Sequence, residues 1–375
     1  MDPVFLLGCP ILIGHQAEPG YGLLIEAGHI TAILPDSADP PARRHTLPPE
    51  ALLAPGLIDI QVNGGGGILF NDHPTAGAAR DIARAHRRLG TTAIFPTLIT
   101  SDPETFTQAA TAARHFSPDH GLAGIHFEGP FLSAARPGVH RADLIRPPAE
   151  ADLSALTALA ATLPVLLTAA PEAAPAAIWD RLTRAGITLS AGHSAAHYEA
   201  VTDAFTGATH LFNAMSPPTA RDPGLVAATL LSDRYAGIIL DGHHVHPAML
   251  RLLRATKAAD RIMLVSDAMS PAGTGATAFM LQGRRILRRG GLLTTEDGTL
   301  AGADLSLAQA MRNAITLLEV SREAAIAMAS TNPASFLRLP RHGRIAVGYR
   351  ADLILLTPAN DVAGTWLGGI WEQAA

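Results

Sequence analysis

The sequence predicts an α/β protein: a closed (β/α)8 barrel with a small β-sandwich domain built from both chain ends. Three observations carry this. From residue 54 onward, short β-rich runs alternate with alanine-rich helical stretches, eight units in all; alternation of this kind implies a parallel sheet with crossover helices. The length of 375 residues suits a barrel with an appended small domain. The first 53 residues and the segment from 341 onward share a different texture, short strands broken by Gly and Pro turns. A doubly wound open sheet is the alternative architecture.

In chain order, "VFLLGCPILIG", "GYGLLIEAGHITAIL" and "RRHTLPPEALLAP" supply the strands of the first part of the small domain, residues 1–53. The barrel, residues 54–340, begins with "LLAPGLIDIQV". It continues through "TTAIFPTLIT", "GLAGIHFEG", "VLLTAAPE", "ITLSAGHS", "ATHLFNAM" and "AGIILDGHH" to "RIMLVSDAM". Stretches such as "AARDIARAHRRLG", "PETFTQAATAARHF" and "HPAMLRLLRATKAA" are the helices between them. The segment "AFMLQGRRILRRGGLLTTEDGTLAG", near 277–301, reads as a β-hairpin inserted into the eighth unit. "GRIAVGYRADLILLTPANDVAGTWLGGIWE" returns the chain to the small domain, residues 341–375.

Composition narrows the function. Nearly half the residues are apolar (48%), enough for a large core. The formal net charge is −5 without a long basic run, which argues against nucleic acid as a partner. Cys9 is the one cysteine, so internal disulfides and thiolate metal clusters are excluded. No run approaches the roughly 20 apolar residues of a membrane span. The opening "MDPVFLLGCPILIG" lacks a basic start and is interrupted by Pro3 and Pro10, so it reads as a strand rather than a signal peptide. A cytoplasmic enzyme is expected. Lys257, the only lysine, falls in an amphipathic helical stretch and is expected to be solvated.

Barrel enzymes build their sites at the C-terminal ends of the strands. Here those ends carry Gln61 and Asn63 after the first strand and Glu128 after the third. His193, His210, His244 and Asp267 follow the fifth to eighth. Any one of them alone reads as a hydrogen-bonded structural residue; their convergence points to a metal site. Glu128, His193 and His210 form the candidate ligand set. One carboxylate and two imidazoles leave open positions on a Zn²⁺-like ion, as a catalytic rather than structural site requires. Such an ion brings the pKa of a water it binds toward about 7. Asp267 is then the general base and, once protonated, the acid for the leaving group. The bland alternative is a helix N-cap after strand eight.

The motifs "PGLIDIQVNGGGG", "HFEGPFL", "AGHSAA", "ATHLFNAM", "RDPGL", "DGHHVHP", "LVSDAMSPAG" and "GRIAVGYRADL" occur in that order. With them the chain resembles the N-acetylglucosamine-6-phosphate deacetylase family of the amidohydrolase superfamily, from about residue 20 to 355. The resemblance implies that Glu128, His193 and His210 hold the metal and that Asp267 is the catalytic acid/base. It implies that His140 in "RPGVH" binds and polarises the acetyl carbonyl, and that Asn213 and Ala214 line the sugar-phosphate pocket. It further implies that His244 binds substrate near the phosphate and that Arg221 reaches the phosphate in a neighbouring subunit, hence a homodimer. A guanidinium suits a dianionic phosphate. Neighbouring His243 and His246 are left outside the site.

The first strand departs from binuclear relatives, which carry His-x-His where Gln61 and Asn63 stand. Amides are poor Zn²⁺ ligands, and strand four, ending in "TAAPE", offers no lysine to bridge two ions. One divalent ion is therefore expected, Zn²⁺ first, with Fe²⁺, Mn²⁺ or Co²⁺ also compatible with the ligand set. The amides are expected to hydrogen-bond its water or to shape the pocket floor. The implied reaction is hydrolysis of the acetamido group of N-acetylglucosamine 6-phosphate. The alternatives are an amidohydrolase acting on a cyclic amide or nucleobase, and a non-catalytic phosphosugar-binding barrel.

Overall fold

Residues 2–374 are described by a computed structural model. Eight parallel strands form one sheet: β1 (Leu57–Val62), β2 (Thr91–Ile99), β3 (Ile125–Glu128), β4 (Val165–Ala169), β5 (Thr188–Ala191), β6 (Phe205–Ala208), β7 (Tyr235–Ile239) and β8 (Ile262–Val265). Each pairs with the next in chain order. A parallel bridge between Val62 and Ala268 brings the end of β8 back to β1. A buried side chain strengthens the seam, because Asp59 Oδ1 accepts from the backbone N–H of Gln61 at 3.2 Å and of Ser266 at 3.3 Å. The expected barrel is present.

Every residue of β1, β2, β3, β4, β5 and β8 is buried. Strands covered on both faces read as continuous apolar runs rather than as alternation. The exceptions carry the information. A strand has a period of two, so Asp59, Gln61 and Asn63 share one face, as do His126 and Glu128. The opposite face of β1, with Ile58, Ile60 and Val62, belongs to the large hydrophobic core beneath the helices. Local signals set the helix limits. Thr75 caps the helix Ala76–Arg88 by accepting from Ala78 N–H, and Asp102 caps Pro103–Ala113 by accepting from Thr105 N–H. Proline at the start of the second helix gives up no hydrogen bond there.

Both chain ends build the small β domain. A four-stranded sheet uses Val4–Leu7, Tyr21–Glu26, His29–Pro35 and Arg43–Thr46. A six-stranded sheet joins Ile11–Ile13, Gln16–Glu18 and Leu52–Pro55 to the C-terminal strands Leu353–Leu356, Val362–Leu367 and Ile370–Gln373. Leu52–Pro55 pairs antiparallel with Leu353–Leu356, so the first barrel strand leaves directly from this sheet. Leu6, Leu23, Leu53, Leu353 and Trp366 share its separate core. The inserted segment is not a single hairpin but a three-stranded antiparallel meander, Ala278–Leu281, Arg284–Arg289 and Leu292–Thr294, because positive-φ turns at Gln282-Gly283 and at Gly290-Gly291 reverse the chain twice. Its Leu281, Ile286 and Leu293 pack with Leu69, Ile99, Val139 and Met269 at the C-terminal end of the barrel.

Lys257 differs from its expectation. It is 6% exposed, and its ammonium donates to the backbone carbonyls of Thr229 and Ser232. These lie at the C-terminal end of the helix Gly224–Leu230, where carbonyls lack helical partners and a cation is favoured. The sequence places Lys257 within an amphipathic helix; the structure puts it at that helix's C-cap, and which neighbouring helix end lies within its reach is a matter of packing. Burial pushes its pKa down to about 8. The unfolded chain therefore binds this proton more tightly, and the group's contribution to stability rises with pH between about 8 and the ordinary 10.5. Replacing Lys257 with Met leaves both carbonyls without this donor, at an expected cost of about 1–3 kcal/mol at neutral pH. Thermal unfolding of K257M checks this, and an unchanged Tm would refute the capping role.

Candidate active site

The strand ends converge. Glu128 is the last residue of β3, His193 stands two residues beyond β5, and His210 two beyond β6. His210 Nε2 lies 2.9 Å from Glu128 Oε1, His193 Nε2 lies 3.3 Å from the same oxygen, and the two Nε2 atoms are 3.1 Å apart. All three side chains are buried. Donors about 3.3 Å apart surround an ion with bonds of about 2.05 Å in a tetrahedron, so the trio has the spacing of a metal site. Burial works against the Glu128 carboxylate, yet the adjoining His193 and His210 imidazoles hold it well below the ordinary range.

His193 is prepared for ligation. Its Nδ1 lies 3.0 Å from the carbonyl oxygen of Arg136, an acceptor, so Nδ1 carries the proton and Nε2 is left with its lone pair. Two flanking bonds brace its loop: Glu172 accepts from the Ser194 hydroxyl at 2.7 Å and from Ala195 N–H at 2.6 Å.

Donor atoms of Glu128, His140 and His193 also lie within 4.8 Å of one another. His140 nevertheless differs in kind from His210. Thr100 N–H points at His140 Nδ1 over 3.3 Å, with the Thr100 hydroxyl 2.8 Å away. Nδ1 is thus an acceptor and Nε2 carries the proton, which makes it a donor rather than a ligand. Burial, followed by the neighbouring His193 imidazole, pushes His140 well below the usual imidazole range. His210 therefore suits a third metal donor better than His140 does, in agreement with its closer contacts.

Asp267 stands two residues past β8, and no helix N-cap is formed there. Its Oδ1 accepts from Asn63 Nδ2 at 2.7 Å and from Gln61 Nε2 at 3.2 Å. Oδ2 receives no protein hydrogen bond among the described residues and is free to exchange a proton. Burial, then the charge of Glu128, pushes its pKa up to about 6, close to the range in which a general base works. Gln61 does more than line a floor. Its Nε2 lies 3.2 Å from both Glu128 oxygens as well as from Asp267 Oδ1. A neutral NH₂ thus stands between two carboxylates, where a second cation would otherwise be needed to hold them together.

These groups open on a cavity of about 390 Å³. Asn63, Glu128, His140, His193, His210, Asn213, Ala214, His244 and Asp267 all line it, so most of the sequence-predicted residues meet in one place. Gln61 lies beneath it, in the barrel interior. Arg221 does not line it: this residue is exposed on the loop before Gly224–Leu230. Four contributors were not singled out from the sequence. Arg136 lines the cavity and supplies the carbonyl for His193, Thr100 orients His140, Glu172 braces the His193 loop, and Asp241 contacts His244. Asp241 follows a strand end, as Asp267 does, and so does Thr100, directly after β2; that position is their available signal.

Comparison with known proteins follows the same line. The profile of the amidohydrolase family matches residues 52–371. An N-acetylgalactosamine-6-phosphate deacetylase of Shewanella is 41% identical over 89% of this chain and 85% of that protein. An N-acetylglucosamine-6-phosphate deacetylase of Haemophilus influenzae is 31% identical over 98% of this chain and 99% of that protein. The crystal structure of N-acetylglucosamine-6-phosphate deacetylase from Pasteurella multocida superposes with a TM-score of 0.94 at 31% identity, covering 99% of this chain and 100% of that one.

If Glu128, His193 and His210 are the ligands, Glu128→Gln and His210→Ala should each purify with less than about a tenth of the wild-type metal, because one missing donor opens a three-donor site. Elemental analysis of folded protein measures this. Wild-type metal content in either variant would remove that residue from the ligand set.

Proposed function

The chain belongs to the amidohydrolase family, and from that premise we propose that it hydrolyses the acetamido group of N-acetylglucosamine 6-phosphate to glucosamine 6-phosphate and acetate. The observation that carries the reading is one cavity bearing a Glu–His–His trio, a carboxyl with a pKa of about 6 and a neutral histidine that donates. The deacetylase relatives lend the substrate.

Glu128, His193 and His210 hold one divalent ion, Zn²⁺ in the first place. Such an ion supplies a Lewis acid and an acidified water. The remaining chemistry belongs to the chain. Asp267 Oδ2 takes a proton from the attacking water and hands it to the departing amine. Asn63 and Gln61 keep Oδ1 occupied, so that the free oxygen faces the cavity. His140 Nε2–H donates to the acetyl oxygen as negative charge develops there, the role of an oxyanion hole. Asn213, Ala214 and His244 line the sugar-phosphate side of the cavity. Arg221 extends from its exposed loop to the phosphate of a neighbouring subunit, which makes the working form a homodimer. No helix among the described residues is long and apolar enough to cross a membrane, and the cytoplasm is the proposed site of action. The Shewanella relative favours a second reading, the galactosamine epimer as preferred substrate.

Acetate release from both N-acetylhexosamine 6-phosphates and their unphosphorylated forms tests the proposal. Asp267→Asn should lower kcat by about a thousandfold or more while retaining metal; near-normal turnover would end the assignment. Arg221→Ala should raise KM for the phosphorylated sugar at least tenfold, about 1.4 kcal/mol of lost binding. Mixing it with Asp267→Asn protein should restore part of the activity if the arginine acts across subunits.

A further inference from the structure

Asp241 is a buried carboxylate that the chemistry above does not use. It stands two residues past β7, on the turn that leads to His244. Its Oδ2 lies 2.6 Å from His244 Nδ1, and its Oδ1 accepts from the backbone N–H of His243 at 2.8 Å and of His244 at 2.9 Å. The two side chains are 4% and 5% exposed. The hydrogen bond from His244 leads the interactions that hold the Asp241 carboxyl below the ordinary range against its burial. A second brace holds the same turn, since Asn313 Nδ2 donates to the carbonyl of Leu240 at 2.7 Å. An ionised carboxylate only accepts, so His244 Nδ1 carries a proton. Its Nε2 has no protein partner among the described residues and is left to the cavity that His244 lines.

We propose that Asp241 is a positioning residue for phosphate binding: it fixes the proton of His244 on Nδ1, aims Nε2 at the sugar phosphate and supplies the counter-charge for the doubly protonated ring. This rests on the deacetylase reading above. With an anion on each side, the ring meets the phosphate through a charge-assisted hydrogen bond. A turn held only by its backbone would leave the ring free to rotate and to bind through either nitrogen.

Asp241→Asn keeps an acceptor for the turn but removes the charge. It should raise KM for N-acetylglucosamine 6-phosphate about tenfold, leave kcat within about threefold, and leave kcat/KM for unphosphorylated N-acetylglucosamine unchanged. In a His244→Gln background the same substitution should cost less than about twofold, because its route to the substrate is gone. Equal losses on both sugars, or the full loss in the His244→Gln background, would overturn the proposal. Nitrogen-15 NMR of the intact protein reads the tautomer without any variant. A protonated Nδ1, with an Nε2 signal that moves on adding glucosamine 6-phosphate but not glucosamine, is expected. A ring protonated on Nε2 alone would refute the proposal even if D241N failed to fold. A wild-type enzyme that releases no acetate from any N-acetylhexosamine 6-phosphate would defeat the deacetylase reading instead, and the tautomer would still be measurable.

Discussion

A carboxylate taken out of water must find hydrogen-bond donors or a cation, and Glu128 is the point where this protein meets that demand. Two imidazoles and the Gln61 amide converge on its two oxygens. The same amide reaches Asp267, so the two buried acids are held by one side chain. Two buried acids beside each other repel, and that repulsion adds to burial in raising the Asp267 pKa while the histidines keep Glu128 ionised. The division of labour between the two carboxyls follows from their neighbours.

The backbone at these positions is unusual in a consistent way. His193, His210 and Asp267 have φ of 47°, 35° and 50°, and Phe212 and Ala214 on the His210 loop have 80° and 49°. Side chains other than glycine adopt this left-handed region at a cost of order 1–3 kcal/mol each. A strand that ended in ordinary geometry would carry these residues outward along its own direction. The left-handed step turns the chain at the rim and is held there by neighbours: Ser133 N–H donates to the His193 carbonyl, and Asp267 N–H to Gln61 O. The large barrel core offsets the strain.

The β domain and the inserted meander give this rim its support. The strand Leu52–Pro55 ties the start of the barrel to the C-terminal sheet. From the meander, Gln282 donates to the Thr100 carbonyl and Arg284 to that of Val139, so it buttresses both sides of His140. Thr299 and Leu300, just beyond the meander, line the cavity. The insertion is therefore part of the site's wall.

The sequence by itself determined the barrel, because buried parallel strands must be apolar throughout and their polar exceptions fall at the ends where a site can form. The placing of Glu128, His193, His210 and Asp267 at strand ends around one cavity was legible for that reason. Tertiary structure alone decided the rest. Which nitrogen of each histidine carries a proton depends on a partner far away in the chain, such as Arg136 for His193 or Thr100 for His140. That Gln61 spans two carboxylates, or that Lys257 caps a helix instead of facing solvent, depends on distances between elements that no local pattern encodes. Periodicity says which face a residue occupies; only packing says what that face meets.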